Sequence, residues 1–197
     1  SLTLAGNANF SVAEGSTLTM TEPLVFGGNT LNKTGKGLLT FGAGVGGTTT
    51  IEQGKIDIAS GADLSSGIFT GTSGAGNTNK SIIGGLGTVN SITIGDNDNE
   101  IDFIAPGLGY SSSLTSASSQ KQVAAERSTG AVGTFTTGIL NWNSGGVYDW
   151  EVKTFTPSTT DGAYDVLDFT TINFEAGQTF DINVMSVTND GGTAGAV

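Results

Sequence analysis

The chain has 197 residues, with 32 Gly and neither Cys nor His. Without Cys or His it can build no disulfide framework, thiolate nucleophile, Cys-ligated zinc site or Ser-His-Asp triad. Its net charge of −11, with no basic cluster, would repel phosphate backbones and anionic membrane surfaces. No apolar stretch reaches about 18 residues. We therefore expect no nucleic-acid partner and no direct membrane insertion.

The composition favours a secreted protein or one on a bacterial cell surface. Only 13% of residues are charged, 36% are hydrophobic, and Gly, Thr, Ser and Asn are abundant. Absent Cys together with few Lys fits secreted bacterial proteins, although an acidic cytosolic protein from a saline habitat would look similar. The chain opens on Ser1 without a basic segment and an apolar run. We expect any secretion signal to have been removed or to lie outside this stretch.

Short runs in which apolar residues alternate with Thr, Asn or Asp recur from one end of the chain to the other. They include Leu2/Leu4, Phe10/Val12, Leu18/Met20, Leu24/Phe26, Leu39/Phe41, Ile56/Ile58, Ile92/Ile94, Ile101/Phe103, Leu140/Trp142, Tyr148/Trp150/Val152 and Phe180/Ile182/Val184. A period of two indicates β-strands, and Gly-rich turns separate the runs. The chain is therefore predicted to be nearly all β. Its interior should contain Leu39, Phe41, Ile51, Ile56, Ile58, Val89, Ile92 and Ile94.

Two all-β architectures compete, a sandwich of paired sheets and a solenoid of stacked coils. One degenerate unit recurs, in which an acidic residue and a glycine turn precede a strand that starts on an apolar residue. It is found at residues 14–18 (EGSTL), 52–56 (EQGKI) and 175–180 (EAGQTF). Units this short cannot bury a face alone, but stacked coils cover one another. The repeats favour the solenoid.

Residues 31–41 (LNKTGKGLLTF) and 46–56 (GGTTTIEQGKI) resemble the autotransporter-associated β-strand repeat, whose pattern runs roughly L-x-K-x-G-x-G-x-L-x-L … GGT-x-I-x-x-G-x-L. Residues 84–90 (GGLGTVN) and 133–142 (GTFTTGILNW) resemble coils that follow such repeats in bacterial passenger domains. The resemblance implies a right-handed parallel β-helix on a cell surface or in a secreted fibre. Because this repeat is a fold signature, it transfers no catalytic residues.

We expect a single solenoid domain over 1–197 with insertions at about 66–81 and 110–130. The second insertion contains the one stretch of helix-forming composition, residues 118–127, which has no broad apolar face. It is expected to be exposed.

The densest carboxylate cluster is a candidate calcium site. Asp96, Asp98, Glu100 and Asp102 lie within eight residues of chain, 95–102. Ca²⁺ prefers several converging oxygens, although the spacing matches neither an EF-hand nor a calcium-binding β-roll. The alternative is a solvated turn between Ile94 and Ile101. A second acidic group, Asp161, Asp165 and Asp168, is interpreted as an ordinary turn and solvent face, with Asp165 and Asp168 on opposite faces.

Three aromatic residues, Trp142, Tyr148 and Trp150, are a candidate sugar-stacking platform, and the alternative is that they fill the interior of late coils. Parallel β-helices often cleave acidic polysaccharides with Ca²⁺ and a Lys or Arg base. Here the single arginine, Arg127, lies in the second insertion, and no neighbouring group orients a base. We expect no enzyme activity and no cofactor, with Ca²⁺ as the exception to test.

Neither end of the stack has an evident cap in the sequence. Leu2 and Leu4 begin a strand at one end, while Val184 and Val187 end the other. Unpaired strand edges are normally capped, continued or mated with another copy. Two accounts stay open, a fragment of a longer passenger domain and a subunit whose ends pair into a filament. The expected partners are other copies, through residues 1–26 and 180–197, or flanking solenoid coils, with a surface polysaccharide as the alternative.

Overall fold

The computed structural model describes residues 1–72, 80–95, 101–110, 127–152 and 164–186. These ranges contain strands and turns but no helix. The strands are β1 (Leu2–Thr3), β2 (Ala8–Ser11), β3 (Thr17–Met20), β4 (Leu24–Thr34), β5 (Leu38–Phe41), β6 (Val45–Ile51), β7 (Gly54–Ile58), β8 (Asp63–Gly71), β9 (Lys80–Gly85), β10 (Thr88–Ile94), β11 (Ile101–Pro106), β12 (Leu108–Tyr110), β13 (Arg127–Ala131), β14 (Thr134–Trp142), β15 (Gly146–Val152), β16 (Val166–Phe174) and β17 (Asp181–Ser186).

Two parallel sheets make up the fold. Sheet A has the order β1-β4-β6-β8-β10-β14-β16, with β2 also pairing with β4, and sheet B has the order β17-β15-β11-β9-β7-β5-β3. Successive strands of each sheet lie one coil apart in the chain, and they pair in parallel. Parallel pairing needs such crossover connections, whereas a sandwich of hairpins pairs antiparallel. The predicted all-β solenoid is confirmed.

In-register pairing stacks equivalent residues of successive coils into columns along the stack. The two main interior columns are Ala8, Leu31, Thr49, Phe69, Ile92, Leu140 and Ile172 in sheet A, and Leu18, Leu39, Ile56, Ile83, Ile104, Tyr148 and Ile182 in sheet B. Because side chains alternate along a strand, period two sends every second residue inward. All eight residues predicted for the interior are buried in one core cluster.

A second, smaller apolar cluster lies on the other face of sheet B. It consists of Ile82, Phe103, Ala105 and Val147. Ile83, which follows Ile82, and Ile104, which lies between Phe103 and Ala105, belong to the main core. Alternation therefore places the two clusters on opposite faces of the sheet. Sheet B is thus buried on both faces along its middle strands.

The first predicted insertion is shorter than expected. Ser66 and Gly67 continue β8 and pair with Gly46 and Gly47 of β6, while Lys80 begins β9. The Ser- and Gly-rich composition suggested a loop, but small residues are accommodated in a sheet whose neighbouring strand is also Gly-rich. Residues 73–79 lie outside the described residues.

The second predicted insertion begins and ends in strands. β12 and β13 pair with each other antiparallel, in contrast to the two main sheets. Arg127, the last residue of the helix-like stretch, begins β13, and residues 111–126 lie outside the described residues. The described ranges contain no helix with the length and apolarity needed to cross a bilayer.

Candidate functional site: the two ends of the stack

The last coil of the described part of the chain presents an exposed apolar surface, which we call the C-terminal end face. Its members are the interior-facing residues of β16, β17 and the turn between them: Phe169, Ile172, Phe174, Phe180, Ile182 and Val184. Phe174, Phe180 and Ile182 are each about half exposed, at 51%, 49% and 50%. The Phe174 and Phe180 rings stack with centroids 4.9 Å apart. Side chains that an additional coil would bury are therefore in contact with solvent.

The opposite end, here called the N-terminal edge, is formed by β2 and β3. Among the described strands, β2 pairs only with β4 and β3 only with β5, just as β16 pairs only with β14 and β17 only with β15. Each end therefore presents one row of backbone N–H and C=O groups in each sheet without a strand partner in the described part of the chain.

The predicted edge residues have different positions. Leu2 is 48% exposed and Val184 is also exposed, as an edge requires. Leu4 is only 8% exposed and belongs to the core. The Leu4 N–H donates to the Val25 carbonyl of the next coil, as the Leu2 N–H does to the Pro23 carbonyl. Val187 lies outside the described residues.

The calcium candidate is only partly described. Asp96, Asp98 and Glu100 lie outside the described residues, while Asp102 is fully buried. One carboxylate oxygen of Asp102 accepts a hydrogen bond from Ser81 Oγ at 2.5 Å and the other accepts one from the Gly95 N–H at 3.0 Å. In the described part of the chain, no group of three or more carboxylate side chains is placed to share a metal ion. Asp102 therefore has a structural role, since its two hydrogen bonds link β9 to the end of β10.

Two members of the second acidic group have different environments, and the third, Asp161, lies outside the described residues. Asp165 is buried, and its carboxylate accepts hydrogen bonds from the Gly133 N–H and the Glu151 N–H, both at 3.1 Å. Asp168 is exposed. Asp165 thereby ties β15 to the residue before β14. The interpretation of this group as an ordinary solvent face is therefore wrong for Asp165, because its carboxylate is buried on two main-chain N–H donors, while Asp168 does face solvent.

The three candidate aromatic residues do not lie together on an exposed surface. Trp142 is 5% exposed, belongs to the core, and donates its Nε1–H to the Gly146 carbonyl at 2.8 Å. Tyr148 packs against the core and meets Trp142 edge to face at 6.5 Å. Trp150 is half-buried and donates its Nε1–H to the Asp165 carbonyl at 2.9 Å. Trp142 therefore has the interior position that the alternative interpretation gave it.

A buried lysine was missed by sequence reasoning. Lys33 is fully buried, and its Nζ donates to the carbonyl oxygens of Thr34, Gly35 and Gln53 at 2.9, 2.6 and 3.1 Å. Burial lowers the pKa of this ammonium to about 8. The sequence did contain a signal for this residue, because Lys33 is the Lys of the L-x-K-x-G-x-G pattern. Its role is to satisfy three carbonyls where two successive coils turn.

Asp57 is a buried carboxylate on the outer face of sheet B. It lies between Thr40 and Gly84 in its column, and it is 7% exposed. Burial raises the pKa of Asp57 to about 6, opposed by a hydrogen bond from Thr40. Among the described residues, its Oδ1 atom has no hydrogen-bond partner. This carboxylate therefore costs stability when it is ionised.

An uncharged polar column runs along the outer face of sheet A, here called the outer ladder. It consists of Asn9, Asn32, Thr50, Thr70, Thr93, Asn141 and Asn173. Thr50 Oγ1 donates to Asn32 Oδ1 at 2.9 Å, and Asn173 Nδ2 donates to Asn141 Oδ1 at 2.8 Å. Side-chain hydrogen bonds thus connect coils through the ladder in addition to the backbone pairing.

Comparison with protein-family models, with curated proteins and with solved structures finds no match to this chain. What the described geometry offers is a parallel stack with an apolar, unpaired end and buried carboxylates that hold the main chain.

Proposed function

We propose that this chain is a non-enzymatic structural or adhesive β-solenoid of the bacterial cell surface, and that it works as a subunit or segment of an extracellular fibre. The observation that carries this function is the C-terminal end face. Its Phe and Ile side chains continue the interior columns and are about half exposed.

The energetics of that end face favour continuation of the stack. Each unpaired backbone group that finds a partner gains about 1 kcal/mol, and buried apolar area contributes about 25 cal/mol per Å². A further coil would supply both contributions, since it brings a strand for each sheet and side chains for the interior columns. Charged side chains on an edge strand oppose pairing with another strand, and residues 171–174 of β16 contain none.

The positions of the buried carboxylates support a role without turnover. Asp102 and Asp165 each accept two hydrogen bonds from groups that fix the fold. A general acid or base needs reach to a substrate, and these oxygens face protein donors instead. The resemblance of residues 31–56 to autotransporter-associated repeats, together with the acidic, Cys-free composition, supports the surface location.

The test is the assembly state of the purified chain. Negative-stain microscopy and light scattering at increasing protein concentration should show rods that lengthen. The test variant is Ile182→Asp, which puts a charge on the exposed end face. Its matched control is Ile68→Asp, the same change at an exposed isoleucine of β8, a strand with partners on both sides. We expect Ile182→Asp to reduce assembly at least tenfold more. Monomeric, compact particles at high concentration would contradict self-assembly into a fibre.

Turnover is tested separately with pectin, alginate and chitin-type polymers by reducing-end release, with and without Ca²⁺. We expect none. Cleavage that is lost in Asp165→Ala but kept in the exposed Asp168→Ala would contradict a non-enzymatic function, provided that circular dichroism shows both variants folded.

A polysaccharide-binding module is the second candidate function, and the outer ladder is the observation that favours it. Uncharged amides and hydroxyls repeat once per coil there, and neutral glycans are bound through such groups. Co-sedimentation with insoluble polysaccharides tests it, with Thr70→Asp as the ladder variant and Asp63→Asn, on the same strand, as the control. Binding that is weakened at least tenfold by Thr70→Asp would support this function.

A further inference from the structure

We propose that copies of this chain stack head to tail in one fixed register, in which β16 and β17 of one copy pair in parallel with β2 and β3 of the next. This stacking rests on the proposed fibre function and adds the interface, residue by residue. The occupant of the C-terminal end face is thus a second copy of the same chain.

The first support is the chemistry of the columns in sheet A. Two adjacent columns run without a break from Ala8 and Asn9 to Ile172 and Asn173. The next residue along the strand is Phe10 at one end of the stack and Phe174 at the other. The next copy in the same register would place apolar on apolar, Asn on Asn and Phe on Phe. The outer ladder, whose internal members already share side-chain hydrogen bonds, would continue from Asn173 to Asn9 of the next copy.

Sheet B gives the same result independently. One column runs without a break from Leu18 to Ile182. The next two residues along the strand are Thr19 and Met20 at one end of the stack, and Asn183 and Val184 at the other. The order apolar, polar, apolar is therefore the same at both ends of both sheets. A slip of one residue in either sheet would place polar side chains on the interior face, so the burial of apolar side chains selects the register.

The first and last coils also match in length. Asn9 and Thr19 are ten positions apart, as are Asn173 and Asn183, whereas the corresponding separations in the other coils range from 7 (Thr50 to Asp57) to 14 (Thr70 to Gly84). The coils that would become neighbours across the interface therefore have equal connections between their two sheets.

The distribution of charge along the chain permits self-association. The chain has a net charge of −11, but β2, β3 and residues 171–174 contain no charged side chain. Asp181 is the single charged residue of β17, and in this register it faces Thr17. Like charges therefore do not meet at the facing strands. Because the two ends are different surfaces, the contact is heterologous and extends to an open filament unless its rotation closes a ring.

Disulfide trapping tests the register, since the chain has no Cys of its own. Asn9→Cys and Asn173→Cys are introduced together at two exposed positions. Adjacent strands are about 4.8 Å apart, which lies within the Cα separation that a disulfide accepts. Under mild oxidation we expect a ladder of covalent oligomers on a non-reducing gel, which collapses to monomer on reduction.

The register control is Asn9→Cys with Thr171→Cys, which is displaced by two residues along the same exposed face. It should cross-link at least tenfold more slowly, and each single-Cys variant should stop at dimers. Rods that form while the displaced pair cross-links as fast as the in-register pair would overturn the register and leave the fibre function standing. A chain that remains monomeric by light scattering would overturn the stacking, whatever covers the C-terminal end face.

Discussion

Two buried threonines show how a single hydroxyl changes the stability of this core. Thr49 lies between Leu31 and Phe69 in an interior column, and its Oγ1 has no hydrogen-bond partner in the described part of the chain. Thr137 is equally buried, but its Oγ1 donates to the Ile139 carbonyl at 3.1 Å. An unsatisfied buried polar group costs about 1–3 kcal/mol, while a satisfied one contributes about 1 kcal/mol.

Thr49→Val is therefore expected to raise the free energy of unfolding by about 1 kcal/mol, and Thr137→Val to lower it by about 1 kcal/mol. Both changes replace a hydroxyl by a methyl group of similar size, so urea denaturation of the two variants compares hydrogen bonding at nearly constant volume. Equal effects of the same sign would contradict this account of the core.

Ionisation of Asp57 makes the stability of the protein depend on pH. Its pKa is about 6 in the folded state and 3.8 in an unperturbed carboxyl group. Between these values the folded chain binds more protons at Asp57 than the unfolded chain, so the stability that this group contributes falls as pH rises from about 4 to 6. Above pH 6 the buried carboxylate remains ionised and costs stability.

Asp57→Asn removes that cost. We expect the variant to match the wild type near pH 4 and to exceed it by about 1–3 kcal/mol at pH 7. Thermal melts across this range measure the difference, with the exposed Asp168→Asn as the control. A constant difference between Asp57→Asn and wild type across the range would show that ionisation of Asp57 is not its cause.

At the scale of elements, the start of β7 depends on a glycine for two reasons. Gly54 has φ +87°, and a Cβ there would overlap the Gly35 carbonyl oxygen and lie 2.8 Å from Lys33 Nζ. Gly61 has a similar φ of +77°, but a Cβ there would meet no atom within 4 Å. A non-glycine residue would strain the backbone at both positions, but only at Gly54 would its side chain also lack room.

Gly54→Ala is expected to destabilise the protein by about 1–3 kcal/mol more than Gly61→Ala, because it overpacks the Lys33 turn in addition to straining the backbone. Chemical denaturation of both variants gives the difference. Lys33→Met combined with Gly54→Ala should cost less than the sum of the two single changes, since both disturb the same turn. Equal losses for Gly54→Ala and Gly61→Ala would contradict the close approach.

The sequence predicted what depends on local alternation and missed what depends on coil length. Period two identified the strands and the interior residues such as Phe41 and Ile92, since each strand must bury one face. The outer ladder could not be recognised in the same way, because the connections between sheets differ in length and the register is set by pairing. Ser66 and Gly67 appeared loop-like for a related reason, since a small residue facing solvent carries no apolar signal. Lys33 was visible as a motif residue, but its three carbonyl partners come from two coils.

At the scale of the whole molecule, each coil contacts mainly the coils before and after it, so stability is close to a sum of coil and interface contributions. The middle strands β6 to β10 have partners on both sides, while β2, β3, β16 and β17 have one. Local opening should therefore cost least at the ends, and hydrogen exchange measures that cost strand by strand.

In dilute solution we expect exchange to be fastest in β2, β3, β16 and β17 and slowest in β6 to β10. Raising the protein concentration should slow exchange in both sets of end strands together, because head-to-tail stacking gives each of them its missing neighbour, and should leave β6 to β10 unchanged. Protection that rises at one end alone would indicate a contact between like ends, which forms a closed dimer instead of a filament. End strands that are already as protected as the centre in dilute solution would show that each copy covers its own ends, and the fibre would then need another interface.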